Sequence, residues 1–127
     1  MPEEQSHPAF EWNAERLWPQ FARLADAEPD ALALADCGDR LWSRAELRGQ
    51  AVEIAALLKA AGVGPGDRVL VTAHKSPATI ATALAISSLQ AIFCPVSPKL
   101  GTGDLAALES LLGHAAKLSG TSSALPD

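Results

Sequence analysis

The feature that most constrains the fold is a pair of apolar segments joined by a helix-start signal. The first segment, Arg68 to Ala73, is mainly apolar, as a strand buried in a parallel sheet is. Ser76 followed by Pro77 begins a helix, because serine caps free backbone donors and proline suits the first helical position. A second apolar segment, Ala91 to Val96, follows that helix. This succession predicts two parallel strands with a right-handed crossover helix between them.

A second pattern lies upstream and predicts an antiparallel hairpin. Leu32 and Leu34 lie on one short segment and Leu41 lies on the next, with the turn-forming residues Cys37 to Asp39 between them. Before the hairpin, Leu17, Phe21 and Leu24 recur at helical spacing, which predicts a helix that begins at Trp18-Pro19 and ends before Pro29.

A capping box predicts the next helix. Ser43 is followed three residues later by Glu46, so that each side chain can satisfy a free backbone donor of the other residue. The helix is expected to run to about Ala61 and to end at Gly62. The sequence Gly62-Val63-Gly64-Pro65-Gly66 looks like a phosphate-binding loop, but it follows a helix and leads into a strand, the reverse of the dinucleotide-binding order. We therefore interpret it as a helix stop followed by a turn.

Composition excludes several classes of function. The 127 residues are 48% apolar, which is enough for one domain with a core, and 10 basic against 15 acidic residues give a net charge of -5. No basic stripe is present, so nucleic acid is not an expected partner. Cys37 and Cys94 have no metal-ligand spacing, and we interpret them as reduced thiols of a cytoplasmic protein without a metal site. The apolar stretches are too short for a membrane span, and the N-terminus lacks an export signal.

These patterns together predict an α/β fold. We expect a three-layer fragment with a parallel sheet and crossover helices, and a short antiparallel hairpin beside it. Residues 1–12 are predicted to form an irregular arm, residues 13–118 a single α/β domain, and residues 119–127 a disordered tail. Within the domain, Asp104 to Gly113 is predicted as a last helix and Lys117-Leu118 as the start of another strand.

Four blocks in order carry a resemblance to a known family. They are PDALAL (29–34), LWSRAEL (41–47), GVGPGDRV (62–69) and QAIFCPVSP (90–98). The chain resembles the opening part of the adenylate-forming superfamily, also called AMP-dependent synthetases and ligases, which includes acyl-CoA synthetases, adenylation domains of nonribosomal peptide synthetases and luciferases. The resemblance implies the N-terminal subdomain of that fold, over roughly Trp18 to Lys117.

The resemblance also implies a reaction. Full-length members use ATP and Mg²⁺ to convert a carboxylate into an acyl-adenylate, and then pass the acyl group to CoA or to a carrier-protein thiol. None of the motifs that perform this chemistry maps onto a residue here, so no catalytic residue is assigned and no cofactor is expected for this chain alone. We expect a truncated relative or fragment of an ATP-dependent carboxylic acid ligase that is inactive as an isolated chain.

The sequence departs from the family pattern at three places. Arg44 stands where the family usually has tyrosine, and Gln90 stands where it usually has glycine. The tail Ser119 to Pro126 resembles the family's phosphate loop, but Ser123 takes the place of its second glycine and no lysine follows Pro126. We therefore interpret this segment as a disordered serine-rich terminus.

His74 and Lys75 are the candidate cofactor-binding residues. They follow the carboxyl end of a predicted parallel strand, where open α/β sheets form their ligand crevice. The alternative is a solvated loop that merely precedes the Ser76-Pro77 cap. Trp12, Trp18 and Trp42 could stack on a ligand, but core or hairpin packing is the expected role.

Two further functions stay open at this point. The first alternative to a ligase fragment is a non-catalytic docking module, which pairs with itself, with the rest of a split synthetase or with a carrier-protein assembly line. Such a fragment exposes apolar surface and is expected to self-associate, as a dimer for example. A small flavodoxin-like binding protein that uses the crevice at His74 and Lys75 is the third possibility.

Overall fold

The computed structural model describes residues 16–112 and a short strand at 116–118. Its elements, in chain order, are α1 (Leu17–Ala27), β1 (Leu32–Ala35), β2 (Leu41–Ser43), α2 (Arg44–Ala60), β3 (Arg68–Thr72), α3 (Pro77–Ser88), β4 (Ile92–Val96), α4 (Thr102–Leu112) and β5 (Ala116–Leu118). The predictions for the arm at 1–12, for Trp12 and for the tail at 119–127 lie outside the described residues.

A parallel sheet with strand order β4-β3-β5 forms the centre of the fold. Leu70 of β3 lies opposite Cys94 of β4 on one side and Lys117 of β5 on the other. The predicted parallel pair with its crossover helix is confirmed, and the strand predicted at Lys117-Leu118 is present. The chain leaves β3 through α3 to reach β4 and then returns through α4 to the opposite side of β3.

Side chains of β3 face both sides of this sheet. Val69 and Val71 belong to the main apolar core, which α2 and α3 complete. Leu70 points the other way, because successive strand residues alternate, and it is also buried. Thr72 shares the face of Leu70 and lines a crevice with Leu105 of α4. The helices α3 and α4 therefore serve opposite faces of the sheet.

The predicted hairpin is confirmed as a separate two-stranded sheet. Leu32 pairs with Ser43 and Leu34 pairs with Trp42, so that Ala33 is an extra residue that forms a β-bulge. In the turn, the Asp36 carboxylate accepts the backbone N–H groups of Gly38 at 2.8 Å and Arg40 at 3.1 Å. These bonds hold the turn closed.

Local signals set both ends of α2. Ser43 Oγ accepts the N–H of Glu46 at 3.1 Å, and the Glu46 carboxylate accepts the N–H of Ser43 at 2.8 Å, which is the predicted capping box. At the other end Gly62 has a φ of +97°. The N–H of Val63 donates to Leu58 O and the N–H of Gly62 donates to Lys59 O, the bond pattern of a Schellman motif. The predicted helix stop at Gly62 is confirmed.

The core lies between α2, α3 and β3, and α1 packs against its edge. Its fully buried members include Ile54, Ile86 and Val69. Trp18 and Phe21 of α1 pack against this core with their rings 6.3 Å apart. Trp42 is 4% exposed and its ring lies 3.8 Å from the Arg40 guanidinium. Trp18 and Trp42 therefore have the packing roles that we predicted for them.

Candidate functional site

The first crevice lies between the carboxyl ends of β3 and β4. Thr72 and His74 line it at and after the end of β3, and Val96 to Pro98 line it at and after the end of β4. Leu100 and Leu105 close it beside α4, around a volume of about 300 Å³. The loop after β3 leads to α3 and the loop after β4 leads to α4, so the two loops diverge here. Open α/β sheets place ligands at such a division of the chain path.

A second crevice, the hairpin crevice, lies on the other side of His74. The hairpin residues Leu34 to Cys37 form one wall, and His74 to Pro77 with Thr79 and Ile80 form the other. Its volume is about 440 Å³. His74 lines both crevices, while Lys75 lines only the hairpin crevice.

Backbone bonds fix the loop that carries His74 and Lys75. The N–H of Ala73 donates to Val96 O at 2.9 Å, and the N–H of His74 donates to Thr72 O at 3.1 Å. Ser76 Oγ then accepts the N–H of Thr79 as the cap of α3. His74 is half-buried and Lys75 is exposed. The structure thus places both residues where the strand pattern predicted, and their role in binding stays a prediction.

Asp36 and Cys37 form the wall opposite these residues, and the sequence reasoning did not nominate them. The pKa of the Asp36 carboxyl lies below its usual value, first because the backbone N–H of Arg40 donates to it, with contributions from the N–H of Gly38 and the indole of Trp42. Asp36 is therefore ionised at neutral pH, and its oxygens are engaged by its own turn. An Asp at a turn is a local signal, but its position across from His74 follows from tertiary packing alone.

No metal-ligand set converges in the described part of the chain. Among residues 16–112 and 116–118, no group of three or more His, Cys, Asp or Glu side chains is placed to hold a metal ion.

A third depression, the apolar groove, continues from the hairpin crevice, with which it shares Leu34, Thr79 and Ile80. Leu17, Phe21 and Leu24 of α1 line one part of it, and Leu32 to Leu34 of β1 line another. The volume is about 540 Å³. Four lining side chains are strongly exposed, namely Leu17 at 54%, Leu24 at 52%, Leu32 at 60% and Ile80 at 47%. Clustered exposed apolar residues of this kind are typical of protein interaction sites and of ligand-binding grooves.

The helices of residues 16–112 also lack the features of a membrane span. None of them combines the length and the apolar composition that a bilayer crossing requires.

Comparison with known sequences identifies relatives of this fold. The profile of the family described as AMP-binding enzyme matches residues 21–116. Phenyloxazoline synthase MbtB of Mycolicibacterium paratuberculosis is 44% identical over 85 residues, which are 66% of this chain and 7% of MbtB. Feruloyl-CoA synthase of an Amycolatopsis species is 38% identical over 88 residues, which are 69% of this chain and 17% of that enzyme. The chain thus spans only a small part of the curated relatives that it matches.

Solved structures show the same likeness. The crystal structure of IdnL1 has a TM-score of 0.74 and 31% identity, and the match covers 82% of this chain and 21% of IdnL1. The N-terminal subdomain of Klebsiella oxytoca NpsA, in complex with anthranilyl-AMSN, has a TM-score of 0.78 at 23% identity. That match covers 95% of this chain and 31% of the subdomain. Because its sequence identity is only 23%, the match to the NpsA subdomain shows a shared fold and no more.

Proposed function

The chain belongs to the AMP-binding enzyme family, and we propose from this premise that it forms the opening part of the N-terminal subdomain of a carboxylic acid ligase. In such an enzyme a carboxylate and ATP give an acyl-adenylate and pyrophosphate, and the acyl group then passes to CoA or to a carrier-protein thiol. The observation that carries the proposal is the extent of the family match. The matched residues 21–116 include nearly the whole described fold. The part of this chain that aligns with each relative is only a small fraction of that relative's length.

We propose further that the 127-residue chain alone forms no acyl-adenylate. Adenylation requires several preorganised donors around the phosphates, because they stabilise the charge that develops during the reaction. Of the described side chains that line the crevice between β3 and β4 and the hairpin crevice, only His74 and Lys75 can carry positive charge. Both crevices are open to solvent, where such charges act weakly.

Exchange of labelled pyrophosphate into ATP tests this proposal. The purified chain is assayed with Mg²⁺, ATP and a panel of hydroxybenzoates, cinnamates and amino acids, with a full-length feruloyl-CoA synthase as the positive control. We expect exchange at the background level for every acid. Acid-dependent exchange that Lys75→Ala abolishes would show that the chain carries a nucleotide site and is catalytic by itself.

A second candidate function is a non-catalytic docking module. The clustered exposed side chains of the apolar groove favour it. The partner in this case is a second copy, the rest of a split synthetase or a carrier-protein assembly line. Light scattering on the sample used for the exchange assay distinguishes a defined dimer from a monomer, and calorimetry with Mg²⁺ and ATP measures any nucleotide affinity at His74 and Lys75.

A further inference from the structure

Strand β4 lies at one side of the central sheet. In the described part of the chain it pairs with β3 alone, in a parallel register that runs without a bulge along the whole strand. The N–H of Ile92 donates to Asp67 O at 2.7 Å. At the other end of the strand, Val96 O accepts the N–H of Ala73 at 2.9 Å. Both ends of β4 are therefore bonded to the β3 side of the sheet.

Phe93 and Pro95 direct their backbone groups the other way. In a regular parallel strand, the residues that bond to one neighbour alternate with those that face the opposite side. Since Ile92 and Val96 bond towards β3, Cys94 does so too, and the two residues between them face outward. Proline has no N–H, so Phe93 carries the outward-facing donor of this strand by itself. No acceptor for that N–H lies among the residues that the structure describes.

Pro95 is the protective feature that β4 itself carries. Proteins protect the free edges of sheets with charged side chains, bulges, prolines or a covering element. The sequence of β4, IFCPV, contains no charged residue, and its register has no bulge. Ile92 is 46% exposed and Pro95 is exposed as well, so no described element encloses the strand there. A proline whose missing N–H would face outward is the arrangement that edge strands tolerate.

A second copy of the chain would bring an identical edge to this strand. A pair related by a two-fold axis is antiparallel, and when centred on Cys94 it places Phe93 of each copy opposite Pro95 of the other. Residues opposite each other in this way exchange two bonds when both carry an N–H. Proline removes one bond from each exchange, and it leaves the C=O of Phe93 facing a ring instead of a donor. A carbonyl left without a donor in a contact is unfavourable.

We propose that Pro95 closes the free edge of β4 to strand addition by a second copy of this chain. The inference narrows the docking role proposed above, because it excludes this edge of the central sheet as the surface through which the chain pairs with itself. It does not depend on the ligase assignment.

Pro95→Ala tests the proposal, because it restores the missing N–H and adds no apolar surface. Light scattering on the full chain, over a series of protein concentrations, measures the association. We expect the variant to dimerise at least about tenfold more tightly than the parent chain, since bonds at the edge are recovered. Pro98→Ala is the matched control, because Pro98 is also exposed but lies past the end of β4. It is expected to behave as the parent chain does.

Hydrogen exchange at the Phe93 amide locates the contact. In the parent chain we expect this N–H to exchange rapidly, at a rate independent of protein concentration, while the N–H groups of Ile92 and Cys94 are protected by β3. In Pro95→Ala we expect the protection of Phe93 to rise with protein concentration. Circular dichroism verifies that the variant is folded, and Pro95→Val, which suits a strand better, replaces it if it is not.

Either of two results overturns the proposal. One is a Phe93 amide in the folded variant that stays as unprotected as in the parent chain, whatever mass light scattering gives. The other is protection of Phe93 in the parent chain that rises with concentration, because the edge would then pair in spite of Pro95. Pyrophosphate exchange enters neither result, so failure here and failure of the ligase assignment are distinguishable.

Discussion

The backbone angle of Gln90 explains why glycine is the usual family residue at this position. Its φ is +61°, in the left-handed region, and its side chain is exposed. Its carbonyl accepts the N–H of Gly66 at 2.9 Å, which ties the turn before β3 to the turn before β4. Glycine adopts this conformation without the Cβ penalty. We expect Gln90→Gly to raise the free energy of unfolding by about 1 kcal/mol, measured by urea denaturation.

Two substitutions control this prediction. Gln90→Ala keeps the Cβ and is expected to leave the unfolding midpoint close to that of the parent chain. Gly62 has a φ of +97° and no atom lies within 4 Å of an added Cβ, so Gly62→Ala tests backbone strain without a clash. It is expected to destabilise the chain by about 1 kcal/mol. A lower midpoint for Gln90→Gly would show that the left-handed angle is not what limits stability there.

At the scale of elements, a side chain of α3 caps the first turn of α1. Its N-cap residue Arg16 makes no side-chain capping bond, and the N–H of Trp18 donates instead to Ser87 Oγ of α3 at 2.9 Å. We expect Ser87→Ala to destabilise the fold by about 1 kcal/mol, because it leaves this half-buried donor without its acceptor. The neighbouring Ser88 donates to Ala85 O within its own helix, so Ser88→Ala is the matched control in thermal unfolding and is expected to have a smaller effect. Equal effects would refute the capping role of Ser87.

The helix boundaries show what the sequence can and cannot predict. The capping box at Ser43, the stop at Gly62 and the start at Ser76-Pro77 depend on residues within a few positions, and all were predicted. The start of α1 was placed at Trp18 and lies at Leu17, and its cap comes from a residue 69 positions away. The strand-end rule predicts that His74 and Lys75 lie beside a crevice, which they do, and their role in binding stays a prediction. The facing wall at Asp36 and Cys37 depends on how the hairpin packs on α2, a tertiary contact that no local pattern reports.

At the scale of the whole molecule, the two faces of the central sheet are unequally supported. The main core contains residues of α2, β3 and α3, and none of its described members comes from α4. The 11 residues of α4 place Leu111 in solvent at 80% exposure, with Leu105 against the crevice at β3 and β4. Helices with few buried apolar contacts open locally at lower free energy than the core does. The α4 face is therefore the weaker layer.

Native-state hydrogen exchange tests this asymmetry. We expect amides of α2, α3 and β3 to exchange through global unfolding and those of α4 through local opening at lower free energy. Ile54 is 1% exposed in the core, so Ile54→Val removes one buried methyl group and is expected to cost about 1 kcal/mol of global stability. That loss appears in the exchange of α2, α3 and β3 and leaves the α4 amides unchanged, because their opening does not expose Ile54. A parallel decrease in α4 would show that both layers unfold as one cooperative unit.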